Sequence, residues 1–219
     1  MTAIATATLM ARARLAHLLA QGFAYPDAAQ REALASGEYL GELGALAGAL
    51  GLEAALPALE AALGEGTGTD LSRLEGEHTY LFQRNVLCPL NGSSYGRNRG
   101  LGAIHDLADV ASFYGVFGFQ VSSQAKELAD HLCVELEFLG ALCAKEVYAR
   151  EQGWQERAEV CADARARFVA EHLAPWLPQL AARVREHARL RFYPALAAVA
   201  EAAVALETAP TNAAEGAGR

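Results

Sequence analysis

The sequence predicts an all-α protein, a single bundle-like unit of about ten helices in two packed halves. Three observations point there. Alanine and leucine dominate the apolar positions while β-branched residues are scarce, which favours helix. No strict alternation of apolar and polar residues outlasts a few positions, so no half-buried strand is signalled. In the clearest stretches apolar residues recur three and four apart, the spacing of one helix face.

A first helix is expected over about 8–20, with Leu9, Leu15, Leu18 and Leu19 inward and the 22–26 segment ending it. Asp27 then caps a short helix that stops near Ser36 and Gly37. Two alanine- and leucine-rich helices follow over about 38–50 and 53–63, the second bent or restarted at Pro57, which has no amide proton to donate. The glycine-rich segment 64–69 is a flexible connector, and without a following Gly-Lys-Ser or Gly-Lys-Thr it is no phosphate loop. Beyond it Leu71, Leu74, His78, Leu81 and Phe82 fall at helical spacing.

Residues 84–102 show no periodicity and read as a long loop, which inside a compact unit is usually functional. A helix over about 104–114 carries Leu107, Val110, Ala111 and Tyr114 on one side, with Gly115 as its stop. After an irregular link comes a long helix over about 128–150, with Leu132, Leu136, Leu139 and Cys143 on one stripe. Helices over about 154–172, 179–187 and 189–206 complete the reading, with Pro175 and Pro178 bracketing Trp176 at a turn. Residues 1–120, including the loop 84–102, thus form an N-terminal half and 121–207 a C-terminal half, with 208–219 a disordered tail.

The chain has 219 residues, about half of them apolar, enough for one sizeable core. Its formal charge of -8 argues against nucleic-acid binding, which needs clustered lysine and arginine, and suits a basic partner. No stretch approaches a membrane span, and Arg12 and Arg14 sit inside an amphipathic stretch rather than ahead of an apolar signal block. The expectation is a cytoplasmic protein with no stable membrane insertion. Cys88, Cys133, Cys143 and Cys161 form no CxxC pair and no zinc spacing, so they are expected as free thiols.

The stretch from Ala129 to Leu139 is the most informative. Asp130 and Glu137 lie seven apart and project from nearly one side, while His131 and Glu135 form an i,i+4 pair beside them. Such carboxylates can clamp arginines, whose planar guanidinium donates paired hydrogen bonds. A solvated helix face with Asp130 as a near-terminal cap explains the same spacing. His131, Cys133 and Glu135 also admit a small metal or redox protein, but no HExxH, second ExxH or CxxC supplies further ligands, so no metal or cofactor is expected. Ser93 and Ser94 lack a nucleophile-elbow context, so no catalytic residue is expected. Tyr80, Leu81, Phe82, Pro89, Leu90 and Tyr95 form an apolar and aromatic run beside the loop; core packing accounts for Leu81 and Phe82 equally well, and Tyr95 is the better contact residue.

Four ordered blocks span roughly 70–206: Glu77-His78-Thr79-Tyr80-Leu81-Phe82, Asp130-His131 with Glu135, Leu136 and Phe138, Phe168-Val169-Ala170-Glu171-His172-Leu173 with Trp176, and Phe192-Tyr193-Pro194-Ala195-Leu196. Together they resemble the TorD/DmsD family of chaperones that mature molybdenum oxidoreductases. The resemblance implies an all-helical protein, not an enzyme, that binds the twin-arginine signal peptide of a molybdopterin oxidoreductase catalytic subunit, assists cofactor insertion and prevents premature export. It implies peptide contacts from Asp130, His131, Tyr80, Leu81, Phe82, Pro89 and Ser93, to which the charge pattern and loop add Glu135, Glu137 and Tyr95. The protein would act as a monomer or homodimer. Cys88-Pro89 and Asn91-Gly92-Ser93-Ser94-Tyr95 are similar to the branch serving periplasmic reductases and dehydrogenases of the type II dimethyl sulfoxide reductase class. A related, NarJ-like assembly chaperone of a nitrate reductase is the alternative.

Overall fold

The computed structural model describes residues 5–26, 32–34, 36–65, 71–84, 86–96, 101–122 and 127–208, with only the backbone at 71 and 101–106. Much of the expected short helix after Asp27, most of the glycine connector, the loop residues 85 and 97–100 and the tail 209–219 lie outside the described residues. The all-α reading holds: the described chain is helical, and its one β-type pairing is an isolated bridge between Asn91 and His131.

In order the helices are α1 (Thr6–Phe23), α2 (Glu38–Ala49), α3 (Leu56–Gly64), α4 (Leu71–His78), α5 (Leu101–Val116), α6 (Leu132–Glu151), α7 (Gln155–Phe168), α8 (Leu177–His187) and α9 (Phe192–Thr208). Pro57 stands in the first turn of α3, where its missing N–H costs nothing, after a short 3-10 turn at Glu53–Ala55. Two helices end in widened π turns: Thr79–Arg84 continues α4, and Val169–Leu173 continues α7. Such insertions are frequent at functional sites, and the first of them carries the Tyr80-Leu81-Phe82 block.

Helices α1 and α6 run against each other along much of their length, the tightest pairing in the molecule. Gly140 makes this possible, because a Cβ there would stand 3.2 Å from the Ala13 carbonyl oxygen. The core is continuous across position 120: Leu19, Phe23, Leu43 and Leu81 share it with Leu132, Leu136, Phe168, Leu180 and Leu196. Toward the end of α6 a buried ion network crosses this packing. Arg165 on α7 reaches Glu146 on α6 at 3.2 Å and also pairs with Glu207 on α9, which holds Arg12 on α1 at 2.6 Å.

Among the boundaries that differ from expectation, two stand out. Helix α5 continues through Gly115 to Val116 and stops at Gly118, whose φ of 74° is the left-handed value that glycine accepts without strain. Helix α6 starts at Leu132 rather than near 128, with His131 in extended conformation as its cap. The second shift reorganises the site.

Candidate functional site

His131 caps α6 unconventionally. Its Nδ1 accepts the Cys133 backbone N–H at 3.3 Å, satisfying one of the amides that a helix start leaves free. Asp130, just outside the helix, is therefore released from capping and turns toward the loop. Its carboxylate accepts the Ser93 backbone N–H at 2.8 Å and an Asn91 amide N–H at 3.0 Å, while its carbonyl accepts the Gly92 N–H at 3.0 Å. The Leu90 carbonyl accepts the Leu132 N–H at 2.8 Å, so four hydrogen bonds fasten the loop to the foot of α6. On its far side the loop leans on Trp176: Tyr95 stacks on that indole at 5.5 Å and donates its hydroxyl to the Pro89 carbonyl at 2.8 Å. Gly92 lies so close that an added Cβ would stand 2.9 Å from the Trp176 Nε1.

Between this loop, the π turn and the end of α1 opens a furrow of about 440 Å³. Phe23 and Tyr25 come from α1 and its exit, Phe82 and Gln83 from the π turn, Val86, Pro89 and Leu90 from the loop, and His131, Val134 and Glu137 from the start of α6. Val86, on the lip, is exposed and holds a φ of 46°, costly for a β-branched residue. Glu127 and Glu137 bring two carboxylates, and no lysine or arginine is among the described lining residues.

Two histidines complete the lining. Burial holds the His78 pKa below its ordinary value despite the bond to the Phe23 carbonyl, and burial lowers that of His131 against the pull of Glu127 and Asp130. Both rings are thus neutral near pH 7, and the furrow's charge is that of its two carboxylates.

Of the residues singled out in the sequence, His131, Phe82, Pro89 and Glu137 line this furrow. Asp130 lies beneath it, buried and occupied with the loop; Ser93 contributes its amide to that tie. Leu81 is wholly buried in the core. Tyr95 faces Trp176, and Tyr80 faces a second open groove where the Arg189 guanidinium sits 3.6 Å above its ring.

The shared face proposed for Asp130 and Glu137 is not formed, because Asp130 precedes the helix whose period would align them. Glu135 is likewise no surface clamp: it is 0% exposed, near Trp176 and Asp130. Burial first, and then the Asp130 charge, push its carboxyl well above the usual range, with the Trp176 indole pulling the other way. Nor do His131, Cys133 and Glu135 converge on a metal; no group of three or more possible ligands is found among the described residues. Burial pushes the Cys133 thiol up to about 12, leaving it protonated and unreactive.

Sequence reasoning missed Tyr25, His78, Glu127 and Glu77 as members or supports of the site. Buried Glu77 accepts the Leu190 backbone N–H at 3.1 Å and that of Arg189, tying the foot of α9 to α4. It explains why the first and last motif blocks belong together, but the contact spans more than a hundred positions and leaves no local signal.

Residues 47–182 match the protein family described as nitrate reductase delta subunit, well over half of the chain. The chain belongs to this family, that of the TorD/DmsD-type redox-enzyme maturation chaperones. Curated relatives bear the same stamp. The selenate reductase assembly chaperone protein of Thauera selenatis is 38% identical over 110 residues, 49% of this chain and 56% of that protein. The perchlorate reductase assembly chaperone protein of Dechloromonas aromatica is 29% identical over 88% of this chain and 86% of its own length. The chaperone protein TorD of Vibrio parahaemolyticus is 33% identical over 42% of each chain. This TorD/DmsD-family chain therefore spans little more than half of the first of these relatives and most of the second. The named relatives are chaperones or assembly chaperones. No helix among its described residues is long and apolar enough to cross a membrane.

Proposed function

We propose that the protein is a cytoplasmic chaperone that binds the twin-arginine signal peptide of a molybdopterin oxidoreductase catalytic subunit, assists cofactor insertion and prevents premature export. The observation that carries this is the furrow, in which Glu127 and Glu137 stand beside an apolar wall of Phe82, Pro89, Leu90 and Val134 with no described cation. A leader peptide offers guanidinium groups and an apolar stretch but no fixed fold. Carboxylates recognise the first, and burial against the wall offsets the entropy of ordering the second. In this reading the furrow is where the halves 1–120 and 121–207 meet, and Asp130 contributes by holding the loop that forms one rim. Roughly micromolar affinity is expected, tight enough to hold a client and weak enough to release it.

The test is calorimetric titration with a synthetic peptide carrying an arginine pair ahead of an apolar segment. Saturable binding that weakens in Glu137→Gln supports the reading; the absence of heat and of any fluorescence change removes it.

The family match favours a second reading, an assembly chaperone for a nitrate reductase whose client lacks a working export signal. Binding that ignores exchange of both arginines for lysine would support this version instead.

A further inference from the structure

His78 stands where the furrow meets the core. It is only 4% exposed, yet it belongs to the furrow's lining. Its ring is fixed edge-to-face against Tyr25 at 5.3 Å and Phe82 at 5.0 Å, with Tyr193 behind at 6.0 Å. Its Nε2 lies 3.1 Å from the Phe23 carbonyl oxygen. A carbonyl can only accept, so Nε2 carries the ring proton and Nδ1 is left with a bare lone pair. That Nδ1 is buried and meets no hydrogen-bond donor among the described residues.

His131 has the opposite arrangement. Its Nδ1 accepts the Cys133 N–H, so in the neutral ring the proton is on Nε2. The two histidines of one furrow are thus held as different tautomers by their backbone partners. A buried acceptor without a donor is costly, and a ligand that supplies the donor recovers that cost on binding.

We propose that the His78 Nδ1 is a specificity-determining acceptor that takes one N–H of an arginine guanidinium in the client peptide, while Glu127 and Glu137 neutralise its charge. This rests on the leader-peptide reading and deepens it. A guanidinium presents five N–H donors in a rigid planar fork and no acceptor, so one group can reach a carboxylate and a fixed ring nitrogen together. An ammonium is compact and strongly hydrated, and it pairs with the carboxylates without reaching a recessed lone pair. His78 therefore selects arginine over lysine at one position of the pair.

The experiment uses the full chain and three synthetic peptides, with Arg-Arg, Lys-Arg and Lys-Lys ahead of the same apolar segment. His78→Phe keeps the aromatic packing and removes the acceptor. Its affinity for the Arg-Arg peptide is expected to fall about tenfold, the scale of a hydrogen bond to a charged group. Its affinity for Lys-Lys should match that of the unaltered protein. In the unaltered protein, the Nδ1 resonance of ¹⁵N-labelled His78 should move upfield on saturation with Arg-Arg and stay in place with Lys-Lys, a readout that packing alone does not give. Equal losses for all three peptides, or an Nδ1 resonance indifferent to Arg-Arg, overturn the role of His78 while leaving the leader reading intact. Failure of the unaltered protein to bind Arg-Arg overturns both. Should His78→Phe fail to fold, the resonance in the unaltered protein decides alone.

Discussion

The Asp130 carboxylate accepts the backbone N–H of Ser93 at 2.8 Å, joining the residue before α6 to a loop 37 positions upstream. With the Asn91 amide on its other oxygen, Asp130 spends its charge on holding the furrow's rim in place. Asp130→Ala should therefore cost about 1–3 kcal/mol, the usual penalty for stranding buried hydrogen-bond partners. Chemical denaturation measures the loss. Hydrogen exchange should quicken at Gly92, Ser93 and Leu132; unchanged exchange there would show that the loop is held by other means.

Glu137 is exposed within the furrow and makes no contact on which the fold depends. Glu137→Gln should leave the melting temperature within a degree or two, since surface substitutions of this kind cost under about 0.5 kcal/mol. It should still weaken an arginine-bearing peptide several-fold and flatten the salt dependence of binding. A variant equal to the parent in affinity at low salt would exclude Glu137 from recognition.

Gly92 offers a steric test. A methyl group there would meet the Trp176 indole, and the loop cannot retreat without breaking its bonds to Asp130. Gly92→Ala should destabilise by about 1–3 kcal/mol, as overpacking generally does. A blue-to-red shift of tryptophan emission toward a more exposed environment should accompany it, whereas an unchanged spectrum and melting curve would mean that the contact is loose.

Glu135 gives a pH dependence with a definite sign. Its folded pKa lies above the ordinary 4.5, so the folded chain binds more protons than the unfolded chain once the pH passes that value. The contribution of Glu135 is thus fully present below about 4.5 and is lost as pH rises from there through the folded pKa. Glu135→Gln mimics the protonated acid. The stability difference between Glu135→Gln and the parent should grow in the variant's favour from pH 4.5 upward, and taking the difference cancels the opposite trend from His78 and His131. A gap that is constant across that range would contradict the neutral, buried acid.

Arg165 is almost entirely buried between Glu146 and Glu207. Arg165→Ala leaves two carboxylates in the interior without their shared cation and should cost about 3–5 kcal/mol. Urea titration measures this, and a loss under a single kcal/mol would indicate that water or Arg12 takes over the pairing.

Much of the fold was legible because helices write their period into a few consecutive residues. Leu132, Leu136, Leu139 and Cys143 announced α6, and Pro57 correctly marked the start of α3. The site was legible only in part. His131, Glu137, Phe82 and Pro89 do line the furrow, but Asp130 was placed in a helix expected to begin near 128, although the same spacing also admitted it as a near-terminal cap. Once His131 is the cap, Asp130 is freed for the loop and Glu135 falls inside, a reversal that follows from a shift at one helix start. For another reason, Tyr25 went unnoticed and His78, though in the first motif block, was read only as a position at helical spacing. The furrow needs the end of α1 to lie beside the π turn, and that adjacency is set by core packing around Phe23 rather than by any local pattern.

The furrow's role is tested most directly by mapping amide chemical shifts in ¹⁵N-labelled protein during titration with an arginine-pair leader peptide. The account predicts saturable shifts concentrated at residues 23–25, 82–83, 86–94 and 131–137, with α8 and α9 unmoved. Saturable shifts centred on α8 and α9 instead, with residues 131–137 silent, would contradict it.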